Sequence, residues 1–182
     1  MKTEKTTLRE ASRVEVISLV DNSVDFNSSS NKNFVQTFRQ WVKPNESFDL
    51  PIAENGFSVL IKVFIDDKIY RVLFDTGVSS DGVVINAKRM NLDLSELVYV
   101  VLSHGHYDHF GGLLSVLKNI KKPKIPLITH GDMFNPRGTA NNRGEIRKHP
   151  HFPKINNLDS VDIINTKDPY FIADNSICIT GE

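Results

Sequence analysis

The stretch Ser103-His104-Gly105-His106-Tyr107-Asp108-His109 places three histidines and one carboxylate within six residues. Histidine is the commonest metal ligand in proteins, and carboxylate oxygens bind the same divalent ions. In an extended segment the side chains at positions i and i+2 point the same way, so His104 and His106 are predicted to meet on one metal ion. Asp108 and His109 follow at the turn into the next element and are predicted to face a second metal ion.

The segments on either side place this cluster in a loop between a strand and a helix. Residues 97–102 form a short apolar run that predicts a buried strand, and residues 110–117 predict the start of a helix. Open α/β sheets bind their ligands at the carboxyl ends of strands, which is where this loop would lie. Single histidines are usually surface or core residues, but four ligand-type residues at this spacing favour a metal site.

The H-x-H-x-D-H pattern, with Phe74-Asp75-Thr76-Gly77 upstream, resembles the metallo-β-lactamase superfamily of dinuclear metallohydrolases. Within it, the chain is more similar to the dihydropterin synthase-like branch. The resemblance is carried by five segments, which are residues 21–22, 55–58, 74–77, 103–112 and 179–182. It implies an α/β fold, the αββα sandwich, of which this chain resembles the amino-terminal half to two-thirds.

The resemblance also implies a site with two divalent metal ions. His104 and His106 match ligands of the first ion, and Asp108 and His109 match ligands of the second. Asp108 would also orient the attacking water, so it is the candidate catalytic residue. Asp75 matches a family position behind the ligands, where it would hold the metal loop; the alternative is a cap at a strand end. Zinc fits histidine and carboxylate ligands best, and iron or manganese also fits.

Family members continue into a second half that supplies two more histidines and a bridging carboxylate. The histidines that follow the motif here, which are His130, His149 and His151, match none of those ligands. We therefore expect either a fragment or truncated product, or a site completed by another chain. One apolar face of the sheet would then lack its cover, which predicts a chain that aggregates, dimerises or depends on a partner. Whether this chain alone is an enzyme stays open.

Composition points to an ordinary globular protein. With 182 residues the chain predicts one domain at 14–182, preceded by a flexible lead-in at 1–13. The formal net charge is zero, which does not favour nucleic acid or an anionic membrane as a partner. Cys178 is the single cysteine, so no intrachain disulfide can form. Without an apolar signal core or a run of about 20 apolar residues, the expected location is the cytoplasm.

Periodicity predicts the remaining elements. Helices are expected at 34–42, where Pro44 ends the pattern, at 83–90 and at 110–120. Strands are expected at 14–20, 57–65, 69–74, 97–102, 125–129, 161–164, 170–173 and 177–180. Residues 135–157 predict a long irregular loop, of the kind that often carries function.

The branch implies a small-molecule substrate that carries phosphate. His130 follows the strand at 125–129 and is predicted to border the cavity. Arg137 lies in the long loop with Arg143, Arg147 and Lys148, and arginine suits phosphate through its planar donor fork; the alternative is a solvated loop.

Three functions are consistent with these residues. The first is a metal-dependent hydrolase or synthase that uses metal-activated water on a phosphorylated pterin-type substrate. The second is another hydrolase of the same fold, such as a lactonase, a phosphodiesterase or a ribonuclease. The third is an inactive remnant that acts as an interaction module.

Overall fold

The computed structural model describes residues 7–43, 48–154, 158 and 160–182. Its strands are β1 (Arg13–Val20), β2 (Ser58–Ile65), β3 (Lys68–Phe74), β4 (Tyr99–Leu102), β5 (Ile125–His130), β6 (Gly138–Ala140), β7 (Ile146–Lys148), β8 (Val161–Thr166), β9 (Tyr170–Ile172) and β10 (Ile177–Ile179). Its helices are α1 (Phe38–Trp41), α2 (Gly82–Arg89), α3 (Tyr107–Phe110) and α4 (Leu113–Asn119), with a 3₁₀ turn at Leu94–Glu96.

Six strands form one mixed sheet in the order β1-β2-β3-β4-β5-β8. Strands β1, β2 and β3 pair antiparallel, whereas β3, β4, β5 and β8 pair parallel. Parallel neighbours end at the same edge of a sheet. The carboxyl ends of β3, β4 and β5 therefore bring Asp75, Ser103 and His130 to one edge, as the sequence predicts for a ligand site.

The main core lies on the sheet face that the helices cover. Leu73 and Leu127 of the sheet are fully buried there together with Leu113 of α4 and Val83 of α2. Asn86 of α2 is also buried and donates hydrogen bonds to the carbonyls of Leu19 and Ile52. The helix is thereby tied to the end of β1 and to the segment before β2.

The opposite face carries a smaller apolar cluster under the β9–β10 hairpin. Val72, Val101 and Ile128 of the sheet pack against Ile172 and Ala173 of the hairpin. An apolar cavity of about 380 Å³ remains between the two layers. The apolar face that the sequence leaves open is thus partly covered by the chain's own terminal strands.

That cover does not reach β1 at the edge of the sheet. Val14 and Val16 of β1 pair with Val63 and Ile61 and are 54% and 65% exposed. Among the described residues of the six-stranded sheet, these two are the most exposed large apolar side chains on this face.

The helix predicted at 110–120 is in fact two short helices, interrupted at Gly111 and Gly112. The amide groups of these glycines donate to the carbonyls of Gly77 and Thr76 instead of continuing α3. A β-carbon on Gly111 would lie 2.0 Å from the Val78 carbonyl oxygen, so only glycine allows this approach. The break joins the helices to the segment that follows β3.

The amino-terminal third also differs from the prediction. Of the helix expected at 34–42, only Phe38–Trp41 is helical, and it begins at a capping box between Thr37 and Gln40. Pro44 lies outside the described residues. Within the predicted lead-in, Arg9 pairs with Asp66 and Asp174, which ties this segment to the hairpins. No helix among the described residues is long and apolar enough to cross a membrane.

We predict that Leu73→Ala destabilises the protein by about 2–5 kcal/mol, because a buried leucine leaves a cavity when it is truncated. Ile69→Ala on the same strand is the control, since its partly exposed side chain loses much less contact on truncation. Urea unfolding followed by circular dichroism measures both free energies of unfolding. Equal losses for the two variants would contradict the assigned core.

Candidate metal centre

The metal loop, defined as residues 103–109, begins where β4 ends at the edge of the sheet. Strand β4 is apolar and buried, and it delivers Ser103 and His104 to the edge. His106 is the residue before α3, and the first turn of that helix carries Asp108 and His109. A strand end and a helix start thus present all four predicted ligands from one short stretch of backbone.

The four predicted ligands lie close together in pairs. Nε2 of His104 is 2.8 Å from Nδ1 of His106, so the two nitrogens face the same point. The ring centroids of His104 and His109 are 4.1 Å apart. Nε2 of His109 is 3.8 Å from Oδ2 of Asp108, whose side chain is 37% exposed. Nitrogen and carboxylate donors in this arrangement fit divalent ions such as zinc.

Asp75 is the buried anchor of the metal loop. It follows β3, is 1% exposed, and accepts hydrogen bonds from the amide and the hydroxyl group of Ser103, each at 2.7 Å. The same carboxylate accepts a bond of 2.7 Å from Nδ1 of His109. This bond fixes the ring of His109 with Nε2 free, which is the arrangement that histidine ligands usually need.

Ser103 has a role that the sequence reasoning missed. Its hydroxyl group donates to Asp75 and lies 2.9 Å from Nδ1 of His104, from which it can accept. Nε2 of His104 is then the nitrogen left for a metal ion. The sequence does show a serine directly before the first histidine. Its role depends on Asp75, however, which lies 28 residues away in the chain.

Burial lowers the pKa of His104, and the nearby rings of His109 and His106 lower it further when they carry charge. The neutral ring is the form that binds a metal ion. In the unfolded chain the imidazole of His104 takes up a proton near pH 6.5, its ordinary pKa, whereas in the folded state protonation requires a lower pH. The contribution of His104 to stability is therefore present above the ordinary pKa and is lost as the pH falls below it.

A polar cavity of about 400 Å³ lies against the metal loop. It is lined by Asn22, Asn55, Gly56, His106, Tyr107, Asp108 and His149. Gly56 has φ +108°, and a β-carbon there would lie 2.2 Å from the Asp108 carbonyl oxygen, so glycine is required for the close approach of this segment.

His149 is the least expected member of this cavity. Its Nε2 lies 2.7 Å from the hydroxyl oxygen of Thr139, and its ring centroid is 6.3 Å from that of His106. Its Nδ1 is buried without a hydrogen-bond partner among the described residues. No local pattern marks this histidine, because the β6–β7 hairpin brings it to the site.

His130 lies at the same edge but in a separate cluster. Its Nε2 is 3.3 Å from Oε1 of Glu182, and Asp132 lies beside it. Lys167 donates to Asp132 at 3.0 Å and to Glu182 at 3.2 Å, and its bond to Asp132 lowers the pKa of that carboxyl. The lysine thus offsets part of the negative charge of the two carboxylates. His130 lines the apolar cavity under β9–β10 and not the polar cavity at the metal loop.

Arg137 points into its own loop. Its guanidinium group donates to the carbonyls of Asp132, Met133 and Asn135 at 2.8, 3.1 and 2.9 Å. The sequence predicts a phosphate ligand at this position, but these bonds direct two of its nitrogens to the backbone.

Comparison with known proteins identifies the class. Residues 53–169 match the family model of the metallo-beta-lactamase superfamily. The match covers most of the chain, so this chain belongs to the metallo-beta-lactamase superfamily. Its α/β fold, with a mixed sheet and helices on one face, is that fold over part of the domain, as the sequence predicts.

Three relatives are similar over part of their length. A 7,8-dihydropterin-6-methyl-4-(beta-D-ribofuranosyl)-aminobenzene-5'-phosphate synthase of Methanocaldococcus jannaschii is 35% identical over 82 residues, which are 45% of this chain and 28% of the relative. An uncharacterized protein of the same organism is 34% identical over 142 residues, 75% of this chain and 50% of the relative. A probable metallo-hydrolase of Bacillus subtilis is 31% identical over 92 residues, 46% and 35% respectively. The chain spans half or less of the length of these relatives.

Solved metallo-beta-lactamases are more distant. The enzyme of Cronobacter sakazakii is 18% identical with a TM-score of 0.44, over 66% of this chain and 41% of that chain. MIM-1 of Novosphingobium pentaromativorans is 20% identical with a TM-score of 0.40, over 67% and 42%.

We predict that Asp75→Asn lowers zinc affinity by about 10–100-fold, the usual cost of losing a partner of a metal-bound histidine. Asn tolerates the positive φ of 57° at this position, so the substitution removes the charge with little change of the backbone. Competition with a chromophoric chelator measures the affinity.

Asp66→Asn is the control, because Asp66 also has a positive φ but lies in the β2–β3 turn. Zinc affinity of Asp75→Asn equal to that of wild type would show that Asp75 does not support the metal ligands.

Proposed function

We propose that this chain carries the metal centre of a metal-dependent hydrolase or synthase. The observation that carries the proposal is the paired arrangement of His104 with His106 and of Asp108 with His109, with two of the rings oriented by Ser103 and Asp75. Two divalent ions, with zinc favoured and iron or manganese as alternatives, would supply a water whose pKa is lowered to near 7.

Each residue of the site has a proposed role that follows from its position. His104 and His106 would hold the first ion, and Asp108 and His109 the second. Asp108 is the proposed catalytic residue, because its partly exposed carboxylate lines the polar cavity and can hold the attacking water towards a substrate. Asp75 would act through His109 and Ser103, without touching the substrate. Two ions require more ligands than these four side chains supply.

A small molecule that carries an anionic group, such as a phosphate, is the proposed substrate. Arg147 and Lys148 line a cavity of about 650 Å³ on the β6–β7 hairpin. This cavity shares Tyr107 and His149 with the polar cavity at the metal loop, so the two are neighbours. The name of the first relative describes the synthase of a dihydropterin compound that carries a 5'-phosphate, which supports a phosphorylated pterin-type compound as a reactant of this protein.

A hydrolase with a different substrate is the second candidate, because another relative is named a probable metallo-hydrolase.

We propose a cytoplasmic location, since the composition favours neither a membrane nor nucleic acid as a partner. A second copy or another chain is the proposed cover for the accessible apolar face around Val14 and Val16.

The test is a substrate screen of the zinc-loaded protein with lactones, phosphodiesters, and a phosphorylated pterin beside its dephosphorylated form. We expect turnover of the phosphorylated pterin, and a loss of about 10²–10⁴-fold in kcat for Asp108→Asn, the usual range for a group that positions a reacting proton. The melting temperature of metal-free Asp108→Asn should stay close to that of wild type, because the carboxylate is partly exposed.

Two variants on the hairpin separate the substrate class from the reaction. Arg147→Ala should raise KM for the phosphorylated form only, whereas Arg143→Ala should not, because Arg143 lies outside the cavity lining. Unchanged turnover in Asp108→Asn would refute its catalytic role, and a protein that binds no zinc would favour the interaction module.

A further inference from the structure

Gly105 separates the two histidines of the first pair and is buried. A β-carbon on it would lie 2.2 Å from Nη1 of Arg137, 2.4 Å from the Met133 carbonyl oxygen and 2.6 Å from Cζ of Arg137. The guanidinium group therefore occupies the space that a side chain at position 105 would take. Gly105 does not have a positive φ. Glycine is required at this position because Arg137 and the Met133 carbonyl leave no space for a side chain.

Arg137 is itself held from the other side. The three bonds to the carbonyls of Asp132, Met133 and Asn135 fix its plane. The side chain of Met133 is 1% exposed and belongs to the main core, so the loop that carries these carbonyls is anchored. The carbonyl of Arg137 also accepts from the amide of His149, which joins the same loop to the polar cavity.

These contacts form a continuous path from the core to the metal loop. It runs from Met133 through the Arg137 guanidinium group to Gly105, and from there to His104 and His106 on either side. We infer that Arg137 is a positioning residue of the metal centre, which supports the metal loop from behind and holds the two histidines at their spacing. The inference rests on the proposed metal site, and it replaces phosphate binding as the role of this arginine.

The chemistry of the side chain explains why arginine would be needed. Its planar fork presents five donors, so it can bond several carbonyls and still fill the space beside Gly105. The ammonium group of lysine is a compact charge that cannot cover the same space. Lysine at position 137 should therefore keep the charge and lose the support.

The test compares Arg137→Ala and Arg137→Lys with Arg143→Ala, whose side chain lies at the exposed tip of the β6–β7 hairpin. Zinc affinity is measured by chelator competition. The visible absorption band of bound Co²⁺ reports the geometry of the ligands. We expect both Arg137 variants to bind zinc about 10–100-fold more weakly, as for other residues that orient metal ligands, and to shift the cobalt band. Arg143→Ala should match wild type in both measurements.

Arg137→Lys decides the matter if Arg137→Ala does not fold. Wild-type zinc affinity and an unchanged cobalt band in Arg137→Lys would overturn the inference. Weaker inhibition of substrate turnover by inorganic phosphate in the same variant would then return Arg137 to substrate binding. If wild type itself binds no zinc, the proposed function fails first, and the two failures are thus distinguishable.

Discussion

The site depends on one buried carboxylate, that of Asp75. A carboxylate that leaves water must find hydrogen-bond donors, and here the donors come from Ser103 and His109 of the metal loop. The bonds are possible only because β3 and β4 are parallel neighbours whose carboxyl ends lie side by side. Sheet topology, loop conformation and ring orientation are thereby linked through a single side chain.

Close contacts of the backbone at three glycines also support the metal loop and α3. Gly56 and Gly111 allow the segments before β2 and after β3 to touch the metal loop and α3, and Gly105 accommodates Arg137. The metal loop and the end of α3 are thus contacted at three points by main chain or by a guanidinium group. Such support on several sides suits a site whose ligands must keep their spacing before a metal ion arrives.

Much of this was accessible from the sequence because the signals are local. The ligand cluster occupies six consecutive residues, and the strand before it is a short apolar run that can be recognised from the sequence alone. The antiparallel pair β2–β3 was marked in the same way by its acidic turn.

The rest depends on contacts between distant parts of the chain. Nothing near Arg137 indicates that it meets Gly105, and its loop suggested phosphate binding instead. His149 reaches the polar cavity only through the β6–β7 hairpin, which was predicted as irregular. Helix α1 is shorter than its apolar spacing predicted, and the helix expected at 110–120 breaks because two glycine amides bond elsewhere.

Anomalous diffraction from crystals of the zinc-loaded protein would show directly whether the metal loop holds metal ions. We expect one peak between Nε2 of His104 and Nδ1 of His106, and a second beside Asp108 and Nε2 of His109. No peak at the metal loop, or a peak confined to the cluster of His130, Asp132 and Glu182, would contradict this expectation.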